Sequence, residues 1–312
     1  MVLEKAGNLR TDFLNAGRAG VGPALRLAAS ILALLSCGAC AYLRSTESYG
    51  AGAAAVRDLA PIQRKLQTAD AASAHVLLTD IGRITYPEFE APVWYVAYRP
   101  FQPALKRVLV LSGVHGDAAA GVDYLVGFVS KRAEPTGAEG CDMDIIPIVN
   151  PWGYVHDLPL NRNGMEIGRD FANFDSHEAR VIRRFLREKR YDLVIDLRED
   201  PDAEGFCIWQ YGLPDETVSA AIVRRVQAEG HPIENDTSLV LLKPRNGVVA
   251  APMWGLTFLR LFRELTLAGY VRRNVSDVVF AVVTPSQRPM AERIAMQRIA
   301  VEMLLGEYGQ TR

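Results

Sequence analysis

A chain of 312 residues with 49% hydrophobic content can bury a substantial core, as one large α/β domain or two small ones. Its 35 Lys and Arg against 36 Asp and Glu leave a formal charge of −1 and a pI near 6.5. No chain-wide field therefore draws it to nucleic acid or to an acidic membrane surface, and neither is expected as a partner of the folded part.

The N-terminus departs from this balance. Leu27 to Leu43 (LAASILALLSCGACAYL) is uncharged and largely apolar, and comes after Lys5, Arg10, Arg18 and Arg26. A basic flank before an apolar run is the pattern of an export signal, and the run is short of the ~20 residues of a spanning helix. Leu34-Leu35-Ser36-Cys37 resembles a bacterial lipobox with Cys37 as the lipidated residue. Ala39-Cys40-Ala41 instead suits an ordinary cut before Tyr42, and an uncleaved anchor is the third option. The positive-inside bias would also put the downstream domain outside the cytoplasm. Residues 1–43 are thus expected to be an export signal or a lipoprotein or membrane anchor, 44–55 a Ser-, Gly- and Ala-rich tether, and 56–312 one domain in the bacterial envelope or periplasm. The membrane is met only through the leader. Cys37 and Cys40 belong to it, leaving Cys141 and Cys207 in the domain, with two buried free thiols favoured over a bridge.

After the tether, a helix is expected over 56–66, then strands at His75–Leu78 and Val93–Tyr98, the second bracketed by Pro92 and Pro100. Val108-Leu109-Val110-Leu111 reads as a buried strand, and the helix after it carries Val122, Leu125, Val126 and Val129 on one face. Asp144 to Val149 is a further strand. Residues 150–175 hold few regular signals, and a segment of that length inside a compact domain is usually functional. Next comes a helix over 176–189, with Asp175 and Glu178 at capping-box spacing. Strands at 192–197 and 205–210, a helix over 214–229, strands at 237–242 and 278–283 and an amphipathic helix over 290–305 complete the chain. Strands alternating with helices and no internal repeat make this α/β, with a central mixed, mostly parallel sheet.

The stretch that organises the rest is Ser112-Gly113-Val114-His115-Gly116-Asp117-Ala118. It puts His115 at a strand's C-terminal end, where an open α/β sheet holds its ligands. Strand, Gly-x-His-Gly-Asp, helix resembles the opening of the metal site in the zinc carboxypeptidase family, which includes the succinylglutamate desuccinylase and aspartoacylase relatives. Four further segments match in family order. Asn150-Pro151-Trp152-Gly153 resembles its Asn-Pro-x-Gly turn. Asn161-Arg162-Asn163-Gly164-Met165-Glu166-Ile167-Gly168-Arg169-Asp170-Phe171 resembles Asn-x-Asn-Gly-x-Asp-Leu-Asn-Arg-x-Phe. Asp196-Leu197-Arg198-Glu199-Asp200 resembles Asp-Leu-His-Glu-Asp, and Val283-Thr284-Pro285 resembles Glu-Thr-Pro. The resemblance covers roughly residues 75–305 and implies the family's three-layer fold.

Residue by residue, it also implies losses. The family's His-x-x-Glu pair becomes His115 and Ala118, and a methyl group ligates nothing. Arg198 stands at the last zinc-binding imidazole; a guanidinium has no lone pair to give a metal. Two unit charges ~4 Å apart repel by ~4 kcal/mol at an effective dielectric of ~20, and a dication roughly doubles this. Val283 stands at the general base and cannot move a proton. Gly168 replaces the Asn that partners Arg169 in gripping the substrate carboxylate, for which Arg169 keeps its fork. His115 is thus read as a remnant ligand, with no zinc or other cofactor expected. Arg169, Arg198, Asn161 and Arg162 are the candidate binding residues, with Arg198 as a fixed cation paired with Asp117 or Glu199. The ligand these imply is a peptide C-terminus or a peptidoglycan stem peptide. Two other readings remain: a hydrolase whose zinc is held by rearranged ligands such as His115, Asp117, Glu199 and His177, with His156 also near in sequence, and a scaffold whose old crevice is filled.

Overall fold

The structure is a computed structural model that describes residues 52–100, 104, 106–132, 140–213, 215–235, 244–252 and 265–309. The leader with Cys37 and Cys40, most of the tether and the strand expected at 237–242 lie outside these residues. No described helix is long and apolar enough to cross a membrane.

In chain order the elements are α1 (Ala60–Ala72), β1 (Val76–Thr85), β2 (Glu90–Tyr98), β3 (Lys106–Leu111), α2 (Ala119–Arg132), β4 (Cys141–Ile146), α3 (Pro151–His156), α4 (His177–Leu186), β5 (Leu193–Asp200), β6 (Cys207–Tyr211), α5 (Thr217–Ala228), β7 (Val248–Ala251), α6 (Leu267–Asn274), β8 (Val279–Pro285) and α7 (Met290–Leu304). The eight strands form one sheet in the order β1-β2-β4-β3-β5-β8-β6-β7. β4, β3, β5 and β8 run parallel to one another, β2 and β6 pair antiparallel on either side of them, and β7 runs parallel to β6. The expected mixed, mostly parallel sheet is present.

The central strands are apolar on both faces because both are covered. Val108 to Leu111 of β3 are fully buried. One face packs on α1, α2, α5 and α7 through Ile62, Leu66, Val122, Leu125, Ile222, Met296 and Ile299. The other packs on α3, α4 and α6 through Trp152, Ile182, Leu186 and Val271. Helix, sheet and helix make the three layers.

Several local expectations are corrected. The first helix starts at Ala60, where Asp58 accepts from the Ala60 amide and Pro61 occupies the first turn. Residues 56 and 57 lie outside the helix, and their amides donate to the Val155 carbonyl. Asn150-Pro151-Trp152-Gly153 opens α3 rather than forming an isolated turn: Asn150 accepts from the Gly153 amide at 2.9 Å and Pro151 supplies the first helical φ. Ser176, not Asp175, caps α4 by accepting from Ala179, and Asp170 in turn accepts from the Ser176 amide and hydroxyl at 2.7 Å. Glu178 points inward to Tyr86 and Asn161 instead of back along the helix. Cys141 on β4 and Cys207 on β6 are buried and form no disulfide; four strand spacings of ~4.8 Å hold them ~19 Å or more apart.

Candidate functional site

His115 is placed by close backbone packing. Gly113 has φ +62°, a left-handed conformation that turns the chain off β3, and the Ser112 hydroxyl donates to the Pro147 carbonyl at 2.6 Å. A Cβ on Gly116 would overlap the Gly153 backbone, so the His115 loop can lie against α3 only with glycine there. Arg57 fastens this junction by donating to the Gly116 and Tyr154 carbonyls at 3.1 and 3.2 Å, and it also pairs with Asp157.

Arg198 lies on β5 with Asp196, two residues earlier on the same face of the sheet. Asp196 Oδ2 accepts from Arg198 Nε at 2.6 Å, and Nη2 lies 2.5 Å from the same oxygen as an ion-pair contact without a hydrogen bond. Neither Asp117 nor Glu199 takes the expected place beside Arg198: Asp196 shares its face of β5, whereas the adjacent Glu199 points to the other face, toward Ala120 and Arg293. Burial works against the Arg198 charge, but Asp196, Tyr211 and Glu166 together raise its pKa above the ordinary guanidinium value. Val283 is the register partner of Arg198 on β8, so the two positions adjoin.

At the rim, Glu166 Oε1 is 3.5 Å from His115 Nε2 and accepts from Arg169 Nε at 3.1 Å. Burial would raise the Glu166 pKa, yet His115 and Arg169 bring it below the ordinary carboxylate value. Gly168 sits against His115: a Cβ there would lie 3.4 Å from Nε2, in ordinary contact with no overlap. His115 and Arg169 keep 35% and 45% of their side chains exposed, whereas Arg198 keeps 25% and Asp196 only 2%. The cavity bounded by Val114, His115, Ala118, Leu197, Arg198 and Glu199 measures about 10 Å³, room for about one water.

Glu199 borders this cavity but its carboxylate is engaged elsewhere, and the remaining predicted residues lie outside it. Glu199 accepts from the Ala120 amide at 3.1 Å and from Arg293 of α7 at 2.7 Å, on the α2 and α7 side; burial raises its pKa despite these donors. Asn161 is buried, its Oδ1 accepting from the Asn163 and Met165 amides and its Nδ2 donating to Glu178. Arg162 pairs with Glu88 at 2.7 Å and lies over the Trp152 ring. Asn161, Arg162 and His177 line a second pocket with Tyr86 and Glu178, and none of the three lines the cavity beside His115. His156 is buried, stacks on Trp152 and bonds its carbonyl. Two participants were missed from sequence, Asp196 and Glu166. The signal was available in both cases, since each is the acid of a motif already in hand.

These donors do not suit a zinc ion. A zinc site needs three or four N, O or S ligands converging on a point. Here one imidazole faces a guanidinium and a carboxylate already engaged by Arg169, and among the described residues no three His, Cys, Asp or Glu side chains gather as a metal site would require. His115, Asp117, Glu199 and His177 are not brought together as such a set.

No protein-family model matches the sequence, and no curated protein is similar to it in sequence. Solved structures are similar in fold. One described as a candidate metallopeptidase from Shewanella denitrificans is 16% identical with a TM-score of 0.65, over 81% of this chain and 91% of that one. Another so described, from Shewanella amazonensis, is 19% identical with a TM-score of 0.65, over 81% of this chain and 94% of that one. Carboxypeptidase A from Helicoverpa armigera is 16% identical with a TM-score of 0.58, over 85% of this chain and 76% of that one. Such low identities speak to architecture alone, and in architecture the chain is zinc-carboxypeptidase-like.

Proposed function

We propose that this protein is a non-catalytic, carboxypeptidase-like protein of the bacterial cell envelope that binds a carboxylate-bearing ligand, a peptide C-terminus or a peptidoglycan stem peptide, at the mouth of the old crevice. The reading rests chiefly on the Asp196–Arg198 pair. A permanent cation with its own counter-ion fills the floor where the fold's imidazole ligand would stand, and a cavity of about 10 Å³ leaves no depth for metal and substrate together. The ligand therefore meets the exposed pair His115 and Arg169, with the Arg169 fork exchanging Glu166 for the incoming carboxylate. The basic and apolar leader supports the envelope assignment.

The same small cavity favours one second reading, a scaffold whose partner docks elsewhere. Calorimetric titration of the full chain with an acidic peptide and its C-terminally amidated form separates the two. Binding of the free-acid peptide alone, lost in Arg169→Ala, supports the first; no binding of either, with Arg169→Ala behaving as wild type, removes it.

A further inference from the structure

On β4, in register with Leu109 of β3, the carboxylate of Asp144 lies 2% exposed beneath a group of cations. Asp144 Oδ1 accepts from Tyr95 Oη at 2.8 Å and Arg99 Nη2 at 2.6 Å, and Oδ2 accepts from Tyr191 Oη at 2.6 Å. A carboxylate offers about four acceptor positions, and three are taken. Two further cations nevertheless face Oδ2, Lys189 Nζ at 3.6 Å and Arg107 Nη2 at 3.7 Å. Both stop beyond hydrogen-bond length. Because they share one oxygen, they lie within twice that distance of each other.

The surrounding charges do not resolve this crowding. Arg99 also faces Asp142 at 3.8 Å, and Lys106 pairs with Asp192 at 3.1 Å, so four cations meet three carboxylates. Arg99 is spent: besides Asp144 it donates to the Tyr98 and Met143 carbonyls and to Tyr95 Oη. Arg107 and Lys189 are held instead by aromatic faces, Arg107 over Tyr191 and Lys189 over Phe185 and Tyr95. Aromatic faces fix the position of a cation while leaving its N–H donors unspent. Burial lowers the Lys189 pKa, and the charges of Arg107 and Arg99 lower it further against the pull of Asp144. Both side chains reach solvent, Arg107 at 43% and Lys189 at 27% exposure.

We propose that Arg107 and Lys189 form a binding site for a phosphate group, free or carried on a lipid headgroup. A tetrahedral oxyanion can bridge the two with N–H···O bonds of about 2.8 Å, supply the missing counter-charge and relieve their repulsion. Its oxygens approach from solvent while Asp144, shielded by two tyrosines and Arg99, holds the cations from below.

The test is thermal unfolding and calorimetric titration of the full chain with inorganic phosphate to roughly 20 mM, against chloride at matched ionic strength to separate specific binding from salt effects. Saturable binding with a rise in melting temperature, weakened about tenfold or more in Arg107→Gln and in Lys189→Gln, is the expected result. Arg225→Gln, an exposed arginine elsewhere, should leave it unchanged. Co-sedimentation with phosphatidate vesicles but not phosphatidylcholine vesicles, lost in the same two variants, assigns the site to a headgroup; phosphate binding without vesicle binding assigns it to free phosphate. Absence of both, or equal binding by wild type and the Arg107→Gln/Lys189→Gln double variant, overturns the proposal.

Discussion

Asp196→Asn isolates the interaction on which the site's reading turns. At 2.5 Å the ion pair is worth ~6–7 kcal/mol of gross Coulomb energy at an effective dielectric of ~20, most of it offset by the desolvation of both groups. The net contribution of the pair is therefore small, but removing one member is costly. Asn leaves the guanidinium beside a neutral amide in a pocket that admits about one water, and breaking a buried pair in this way costs about 3–5 kcal/mol. The 25% exposure of Arg198 puts the expectation at the lower end, about 3 kcal/mol, which for a domain of this size lowers the melting temperature by roughly 6–12 °C. Urea unfolding followed by far-ultraviolet circular dichroism measures the change at unaltered slope. Asp196→Asn/Arg198→Met removes both charges and should recover most of the loss, giving a coupling of about 2 kcal/mol or more. A single-variant cost below about 0.5 kcal/mol, in the range of exposed pairs, would refute the claim that Asp196 is the counter-ion of Arg198.

Glu166 has a folded-state pKa below its unfolded value, so its stabilisation is present above the unfolded pKa of ~4.3 and is lost as pH falls through the lower folded value. Glu166→Gln should consequently flatten the acid limb of the stability profile below about pH 4, measured by urea midpoints across pH. Cys207, whose thiol burial pushes up to about 12, should stay unreactive toward a thiol reagent in the native state. After denaturation without reductant, Cys141 and Cys207 should both titrate, and a disulfide-linked peptide in mass spectrometry would contradict this. Ser176→Ala should cost about 1 kcal/mol through loss of the α4 cap, read from the same unfolding curves, with no change in the fluorescence of Trp152.

The layers were legible in the sequence because their cause is local to each segment. Val108 to Leu111 can be apolar on both faces only between two covered strands, and the His115 loop is the turn that ends their strand. Less legible was whatever depends on partners distant in sequence. β7 and α6 were not identified because a four-residue strand and an eight-residue helix carry too few periods to stand out. The Ser176 cap was passed over for Asp175 because the choice is made by Asp170, which holds the Ser176 amide. Motif spacing places His115 in the loop after β3 and Arg198 and Val283 toward the ends of β5 and β8, where they are register partners, but spacing says nothing of which acid an arginine meets. Asp196 wins by standing two residues away on the same face, whereas Glu199, one residue away, faces the other layer. The motif spacing points to Asn161 and Arg162 as ligand contacts, whereas in the fold Asn161 organises its own turn and Arg162 pairs with Glu88.

The central claim, that a paired guanidinium occupies the place of a dication, is tested most directly by the metal content of the full chain purified without chelator. Plasma mass spectrometry should find zinc and other transition metals well below one equivalent, in wild type and in Arg198→Ala alike, since Ala118 and Val283 supply no ligand. About one equivalent of tightly held metal in the wild-type protein would contradict the account and return the protein to the hydrolases.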